Sequence, residues 1–171
     1  MMLNTINEIQ TGCRVGRYHV SEVFPDGRGG MARVVLARST DSSGSPLALK
    51  ISCVGVLKNY YFAAIQKEVE VLQLLHHRGV SVIKPVSDAK NPYKERATQI
   101  DEQPWFFGME HLRGGTLARY VADLGRLELE EVTAICVPVA EALEYVHCSG
   151  FAHNDIKPSN ILFRKELQIG A

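Results

Sequence analysis

Eight residues near the end of the chain bring three chemical capacities together at fixed spacing: His153-Asn154-Asp155-Ile156-Lys157-Pro158-Ser159-Asn160. Asp155 is a carboxylate that can accept a proton. Lys157 adds a cation two residues on, and Asn160 adds an amide three further on. Taken alone, the octapeptide also has the composition of a polar surface turn built on a proline. Two upstream stretches bear on the choice. Glycines cluster in Pro25-Asp26-Gly27-Arg28-Gly29-Gly30, and chain without Cβ atoms lets backbone N–H groups approach a phosphate closely. Lys50 stands in the apolar run Leu47-Ala48-Leu49-Lys50-Ile51. A lysine buried on such a strand needs an anionic partner or loses its proton, whereas one on an edge strand simply reaches water.

The elements that must position these residues follow from hydrophobic period. Tyr18 to Phe24 alternates apolar and polar, as a half-buried strand does. The glycine cluster then separates it from the apolar run Val34-Val35-Leu36-Ala37, which predicts a hairpin. Leu47–Ile51 is a further strand. Tyr60–His77 reads as a helix, with Phe62, Ile65, Val69, Leu72 and Leu75 on one stripe. Glu68 and Glu70 both stand in the middle of this helix. Val80–Ser87 and Trp105–Met109 are candidate strands. The charged stretch Asp88–Pro104 between them reads as a long, exposed, disordered loop and is given no role. Thr116–Leu124 predicts a short helix. Glu128–Cys148 predicts a long one, with an acidic start, a stripe of Val132, Ile135, Val139, Leu143 and Val146, and a kink at Pro138. Residues 1–16 show no period and read as a leader, with regular structure beginning at Arg17.

Composition narrows the function. A chain of 171 residues with 46% hydrophobic content can build a core. Lys+Arg and Asp+Glu both number 19, so net charge gives no reason to expect nucleic acid or a membrane surface as partner. No apolar run approaches the roughly 18 residues that span a bilayer. Met1–Gln10 has neither the basic start nor the apolar core of a signal peptide. Cys13, Cys53, Cys136 and Cys148 form no C-x-x-C pair, so free thiols in a reducing compartment, by default the cytoplasm, are expected.

The stretches above occur in the order of the protein-kinase motifs. His153–Asn160 resembles the catalytic loop, Gly27–Val34 the glycine-rich loop, and Met109-Glu110-His111-Leu112-Arg113-Gly114-Gly115-Thr116-Leu117 the hinge. The chain is thus similar to a bacterial-type serine/threonine protein kinase of the Hanks class. The resemblance implies an α+β fold: an antiparallel-sheet N-lobe with one long helix over residues 17–110, a hinge at 111–116, and the helical beginning of a C-lobe over 117–171. It implies ATP and Mg²⁺ as cofactors and a protein with Ser or Thr hydroxyls as substrate. By the same resemblance, Asp155 orients the hydroxyl proton, Lys157 neutralises charge on the transferred phosphoryl, and Asn160 holds Mg²⁺. Lys50 reaches the α- and β-phosphates and pairs with Glu68, with Glu70 as the competing candidate. Gly27 and Gly29 cover the phosphates. Val34, Ala48 and Met109 wall the adenine, while the Glu110 carbonyl and Leu112 N–H hold its edge.

Some positions depart from the family pattern. Ala32 stands at the third glycine, and the chain from Tyr18 to Gly27 is about two residues longer than in common relatives. Asn154 replaces an arginine that meets phosphorylated activation loops, which suggests activity independent of such phosphorylation. Leu167-Gln168-Ile169-Gly170-Ala171 resembles the strand that leads into Asp-Phe-Gly. On that reading the 171-residue piece lacks a metal carboxylate, exposes an apolar face of its long helix and is poorly active. A truncated pseudokinase acting through ATP or protein binding is the alternative. A small-molecule phosphotransferase of the aminoglycoside-kinase type is a third reading, which Lys157-Pro158 argues against.

Overall fold

In the computed structural model, residues 2–41 and 44–165 are described. Leu167–Ala171, on which the Asp-Phe-Gly resemblance rests, lies outside them. The chain divides into two compact units, Met1–Leu74 with Ser81–His111, and Leu75–Val80 with Leu112–Ala171.

The first unit is an antiparallel sheet with one helix. Its strands are β1 (Arg14–Val15), β2 (Tyr18–Arg28), β3 (Ala32–Ser39), β4 (Leu47–Ser52), β5 (Ile83–Lys84), β6 (Glu95–Arg96) and β7 (Trp105–Glu110). Their order is β1-β2-β3-β4-β7-β5, with β6 also paired to β7. Successive side chains on a strand point to opposite faces, and directly paired residues share a face. Val35, Ala37, Leu49, Ile51 and Phe106 therefore fall on one face, and all are fully buried. Val34, Ala48, Lys50, Phe107 and Met109 fall on the other, through the pairs Val34–Lys50, Ala48–Met109 and Lys50–Phe107. This second face is covered by α1 (Lys58–Leu74), whose Ile65 and Val69 pack on Phe107, Ile83 and Ala32.

The first face is closed by two stretches that carry no periodicity. Regular structure begins before Arg17: Ile6–Glu8 forms a 3-10 turn, Arg14–Val15 is a strand, and Ile6, Ile9 and Val15 are buried in the core. Those residues are no leader to the fold. They enter the core singly from irregular chain, so no repeat marks them. The stretch Asp88–Pro104 is ordered as well. β6 pairs with β7, Ala97 and Ile100 are fully buried in the same core, and Pro104 is buried too. Leu3 bridges to Ile100, with Leu3 N–H to the Gln99 carbonyl at 2.9 Å and Asp101 N–H to the Leu3 carbonyl at 2.7 Å. Charged residues at its turns hid these apolar anchors. β5 is shorter than Val80–Ser87 because Pro85, which has no N–H, follows Lys84.

The second unit holds α2 (Leu117–Leu124), α3 (Leu129–Cys148) and a 3-10 turn (Pro158–Asn160). Thr116 caps α2 by accepting from Arg119 N–H, and Glu128 and Glu131 form a reciprocal capping box on α3. α3 continues through Pro138 as one helix. Of its expected stripe only Val146 is buried, beside the buried Ala142; Ile135, Val139 and Leu143 are half-buried and Val132 is exposed. The covered half is the half that residues 75–80 meet: His77 stacks on Tyr145 at 5.1 Å, and Arg78 pairs with Glu141. Among the described residues no helix is long and apolar enough to cross a membrane.

Because Ile100 is fully buried, Ile100→Ala should lower the unfolding free energy by about 2–4 kcal/mol in urea titration. A loss under about 0.5 kcal/mol, the level of a surface change, would mean that the stretch does not belong to the core.

Candidate active site

Lys50 leaves the α1 face of the sheet and meets Glu68. Its Nζ lies 2.7 Å from both Oε1 and Oε2 of that carboxylate. The side chains are 29% and 36% exposed. A pair so placed is worth only about 0–1 kcal/mol to stability, so its consequence is to fix where the ammonium stands. Helix phase decides which glutamate is used. Glu68 flanks the buried Ile65–Val69 line, while Glu70, two residues on and roughly 200° around the axis, is exposed.

The glycine stretch forms the β2–β3 hairpin. Gly29 N–H donates to the Ala32 carbonyl at 2.9 Å and closes the turn. A Cβ on Gly27 would stand 2.4 Å from the Val34 carbonyl oxygen, so only glycine fits there. Ala32, at the position of a third glycine, turns its methyl into the cluster with Ile65 and Val69. The β2–β3 register slips between Val20 and Glu22 and again between Val23 and Arg28, which takes up the extra length of β2. Met109 pairs with Ala48 and with Ile83. Glu110 is held at the end of β7 by Leu47 and by two bonds with Val82, its N–H to the Val82 carbonyl and its carboxylate from the Val82 N–H. Leu112 is half-buried and belongs to the second unit.

In that unit Asp155, Lys157 and Asn160 form a closed set of contacts. Lys157 Nζ lies 2.9 Å from Asp155 Oδ2. Asn160 Nδ2 donates to Asp155 Oδ2 at 2.9 Å and to the Asp155 carbonyl at 2.8 Å. Asp155 N–H donates to His153 Nδ1 at 3.3 Å. The Lys157 hydrogen bond, followed by that from Asn160, holds the exposed Asp155 carboxyl below the usual aspartate range, so it is ionised at neutral pH. Asn154 adopts a left-handed φ of 58°, which asparagine tolerates better than most residues. With its nitrogen committed to Asp155, Asn160 still offers an amide oxygen. An oxygen donor next to a carboxylate suits a hard cation such as Mg²⁺.

Gly114 and Gly115, legible in sequence only as a linker, anchor this loop. Gly114 N–H donates to the Phe163 carbonyl at 2.9 Å, Phe163 N–H to the Gly115 carbonyl at 3.0 Å, and Leu117 N–H to the Ile161 carbonyl at 2.8 Å. A Cβ on Gly114 would stand 2.1 Å from the Lys165 carbonyl oxygen. The sequence-derived site residues divide between the units. Gly27, Gly29, Val34, Ala48, Lys50, Glu68, Met109 and Glu110 lie in the first; Leu112, Asp155, Lys157 and Asn160 lie in the second. Sequence reasoning missed Lys94, Arg96 and Glu102, which contact α1 or the sheet beside it; cations placed near Trp105 were the one available signal.

In the first unit a glycine hairpin and a strand lysine clasped by a helix glutamate, and in the second an Asp–Lys–Asn loop, are each groups suited to handling phosphate. Residues 21–170 match the family model described as Protein kinase domain, and the chain belongs to that family. It is 31% identical over 150 residues to CBL-interacting protein kinase 32 of Oryza sativa subsp. japonica, covering 87% of this chain and 31% of the relative. Identity, length and both shares are the same for CBL-interacting serine/threonine-protein kinase 3 of Arabidopsis thaliana. The chain thus spans about a third of the length of these curated relatives. Its fold resembles the crystal structure of Rad53 1–466 in complex with AMP-PNP, with a TM-score of 0.66 and 27% identity over 87% of this chain and 35% of that one. These two relatives are plant proteins, so the bacterial placement gains nothing from them.

If Lys157 keeps Asp155 acidic, then Lys157→Ala should raise the Asp155 titration midpoint toward the ordinary aspartate value of 3.8, as read by NMR of its carboxyl carbon. The sign follows from the depressed folded value. Whatever stability these contacts give is complete above the unfolded midpoint and is lost as pH falls through the folded one. A midpoint unchanged by the substitution would contradict the geometry.

Proposed function

We propose that this chain is the ATP-handling part of a serine/threonine protein kinase, moving the γ-phosphoryl of ATP to a protein hydroxyl. The observation that carries the reading is the Asp155 carboxylate, held ionised between Lys157 and Asn160. An ionised carboxylate can accept the proton of an approaching hydroxyl, and the neighbouring ammonium can offset charge that develops on a phosphoryl group. Family membership and the names of the relatives support the same chemistry.

The remaining roles follow from what each group can do. Lys50, fixed by Glu68, offers its ammonium to phosphate oxygens. Gly27 and Gly29 let the hairpin backbone approach them. Val34, Ala48 and Met109 supply apolar wall for an adenine, with Glu110 and Leu112 as backbone contacts. Asn160, with Asp155 beside it, would hold Mg²⁺, which when bound neutralises phosphate charge. Most of the catalysis asked of these residues is positioning and electrostatic stabilisation. The bacterial-type placement rests on the wording of Met109–Leu117, and a cytoplasmic location on the free Cys13, Cys53, Cys136 and Cys148.

The test is transfer from radiolabelled ATP to mixed Ser/Thr protein substrates, by the full-length natural protein, with Mg²⁺ present. Asp155→Asn should cut transfer by about 10²–10⁴-fold, the contribution usual for a positioned acid–base group, while leaving ATP binding intact. Transfer at the unmodified rate in that variant would remove Asp155 from the chemistry. ATP binding without transfer in the unmodified protein would favour a pseudokinase.

A further inference from the structure

We propose that Tyr93–Gln103 is a built-in clamp that sets the rotation of α1, and that Arg96 and Glu102 are positioning residues for Glu68; the proposal rests on the phosphate-anchoring role given above to the Lys50–Glu68 pair.

The need for a clamp comes from how little holds the helix. Of the 17 residues of α1, only Ile65 and Val69 are fully buried. One narrow apolar line on a sheet lets a helix roll, and a roll of α1 would carry Glu68 away from Lys50. The described contacts on α1 oppose such a roll. Glu102 Oε2 pairs with Lys58 Nζ at 2.6 Å, while its Oε1 accepts Gly55 N–H at 3.1 Å just ahead of the helix. The Arg96 guanidinium lies between two rings, 4.7 Å from that of Phe62 on α1 and 4.3 Å from that of Trp105 on β7. Lys94 Nζ donates to Gln66 Oε1 at 2.8 Å and also stands over Trp105 at 5.1 Å.

Lys58, Phe62 and Gln66 recur every four residues, so they make one stripe along the helix. At 100° per residue, Gln66 and Glu68 lie on opposite flanks of the Ile65–Val69 line, about 160° apart the short way round. Lys58 starts this stripe on the buried line, and Phe62 and Gln66 carry it about 40° and 80° round to the side away from Glu68. Lys50 therefore pins one flank, while the clamp holds the line's start and the other flank. The clamp has a firm base, because Ala97 and Ile100 are fully buried in the sheet core. Tyr93 packs against the cluster that contains Ile65 and Val69. Arg96 also donates to the Gln103 carbonyl at 2.7 Å, which ties the strand to its own turn. That turn is strained: Glu102 and Gln103 take φ values of 58° and 46° in succession, a left-handed pair without glycine. The strain falls where the Glu102 carboxylate reaches Lys58 and Gly55.

The experiment compares Arg96→Ala, Arg96→Lys, Glu102→Gln and Glu68→Gln, with the Arg96→Ala/Glu68→Gln double variant, in the full chain. Hydrogen exchange is followed separately in α1 and in β3 and β4, and ATP·Mg²⁺ affinity is measured by calorimetry. Arg96→Ala should speed exchange in α1 by about tenfold, the scale of losing cation–π contacts to two rings, with β3 and β4 unchanged. Glu102→Gln should act in the same direction and Arg96→Lys should largely restore the helix. Arg96→Ala should also weaken ATP·Mg²⁺, but add nothing further once Glu68 is Gln, because both act through one pair. Unchanged exchange in α1, exchange rising equally in helix and strands, or a full additional loss in the double variant would each overturn the clamp. If Glu68→Gln alone leaves ATP binding intact, the phosphate-anchor reading fails, and the exchange data still decide whether the clamp exists.

Discussion

A lysine on the inner face of a sheet must be given an anion, and in this chain that requirement is met by Glu68. Lys50 is less than a third exposed and lies among Val34, Ala48 and Phe107 on the face that α1 covers. Without a carboxylate beside it, nothing among these apolar neighbours would hold the ammonium in place. Two separate features must agree for the contact to form. The β3–β4–β7 register puts Lys50 on the helix side, and the phase of α1 puts Glu68 beside the buried line of Ile65 and Val69. The pair adds little to stability because water still reaches both groups. It narrows the positions of one ammonium to a small volume, which is what a phosphate site needs.

The Asp155 loop works by a different principle. Its three functional side chains lie within six residues and satisfy one another locally, through Lys157 and Asn160 to the Asp155 carboxylate. What it takes from the rest of the unit is a backbone foundation. Gly114, Gly115 and Leu117 hydrogen-bond to residues 161–163, and the tight approach of Gly114 to Lys165 explains why glycine stands there. The local contacts hold the Asp155 carboxyl below the ordinary aspartate range, and the turn at Pro158–Asn160 keeps the amide in reach.

How much of this could be read in the sequence depended on whether a feature repeats or is local. β2, β4, β7, α2 and α3 announce themselves by period, since one face of each meets a core. Residues 2–16 and 93–104 do not, because Ile6, Ile9, Ala97 and Ile100 enter the core one at a time from irregular chain. The charged turns around Ile100 made that stretch look solvated, while Arg96 and Lys94 spend their charge on rings and an amide. The Asp155 loop is legible because its spacing is its geometry. The contact from Lys50 to α1 spans 18 positions, and only the phase of the helix against the sheet distinguishes Glu68 from Glu70. The period of α3 predicts a buried stripe, but only its Val146 end is covered, because coverage follows from where residues 75–80 meet the helix, which no periodicity encodes.

The central claim is that the Lys50 ammonium, held by Glu68, is a phosphate anchor. The most direct measurement follows the Nζ resonance of Lys50 by NMR in protein with isotope-labelled lysine, assigned with Lys50→Arg, during titration with adenosine, ADP and ATP. The account predicts that ADP and ATP displace the Lys50 resonance and that adenosine, which carries no phosphate, does not. A Lys50 resonance unmoved at saturating ATP, or moved equally by adenosine, would contradict it.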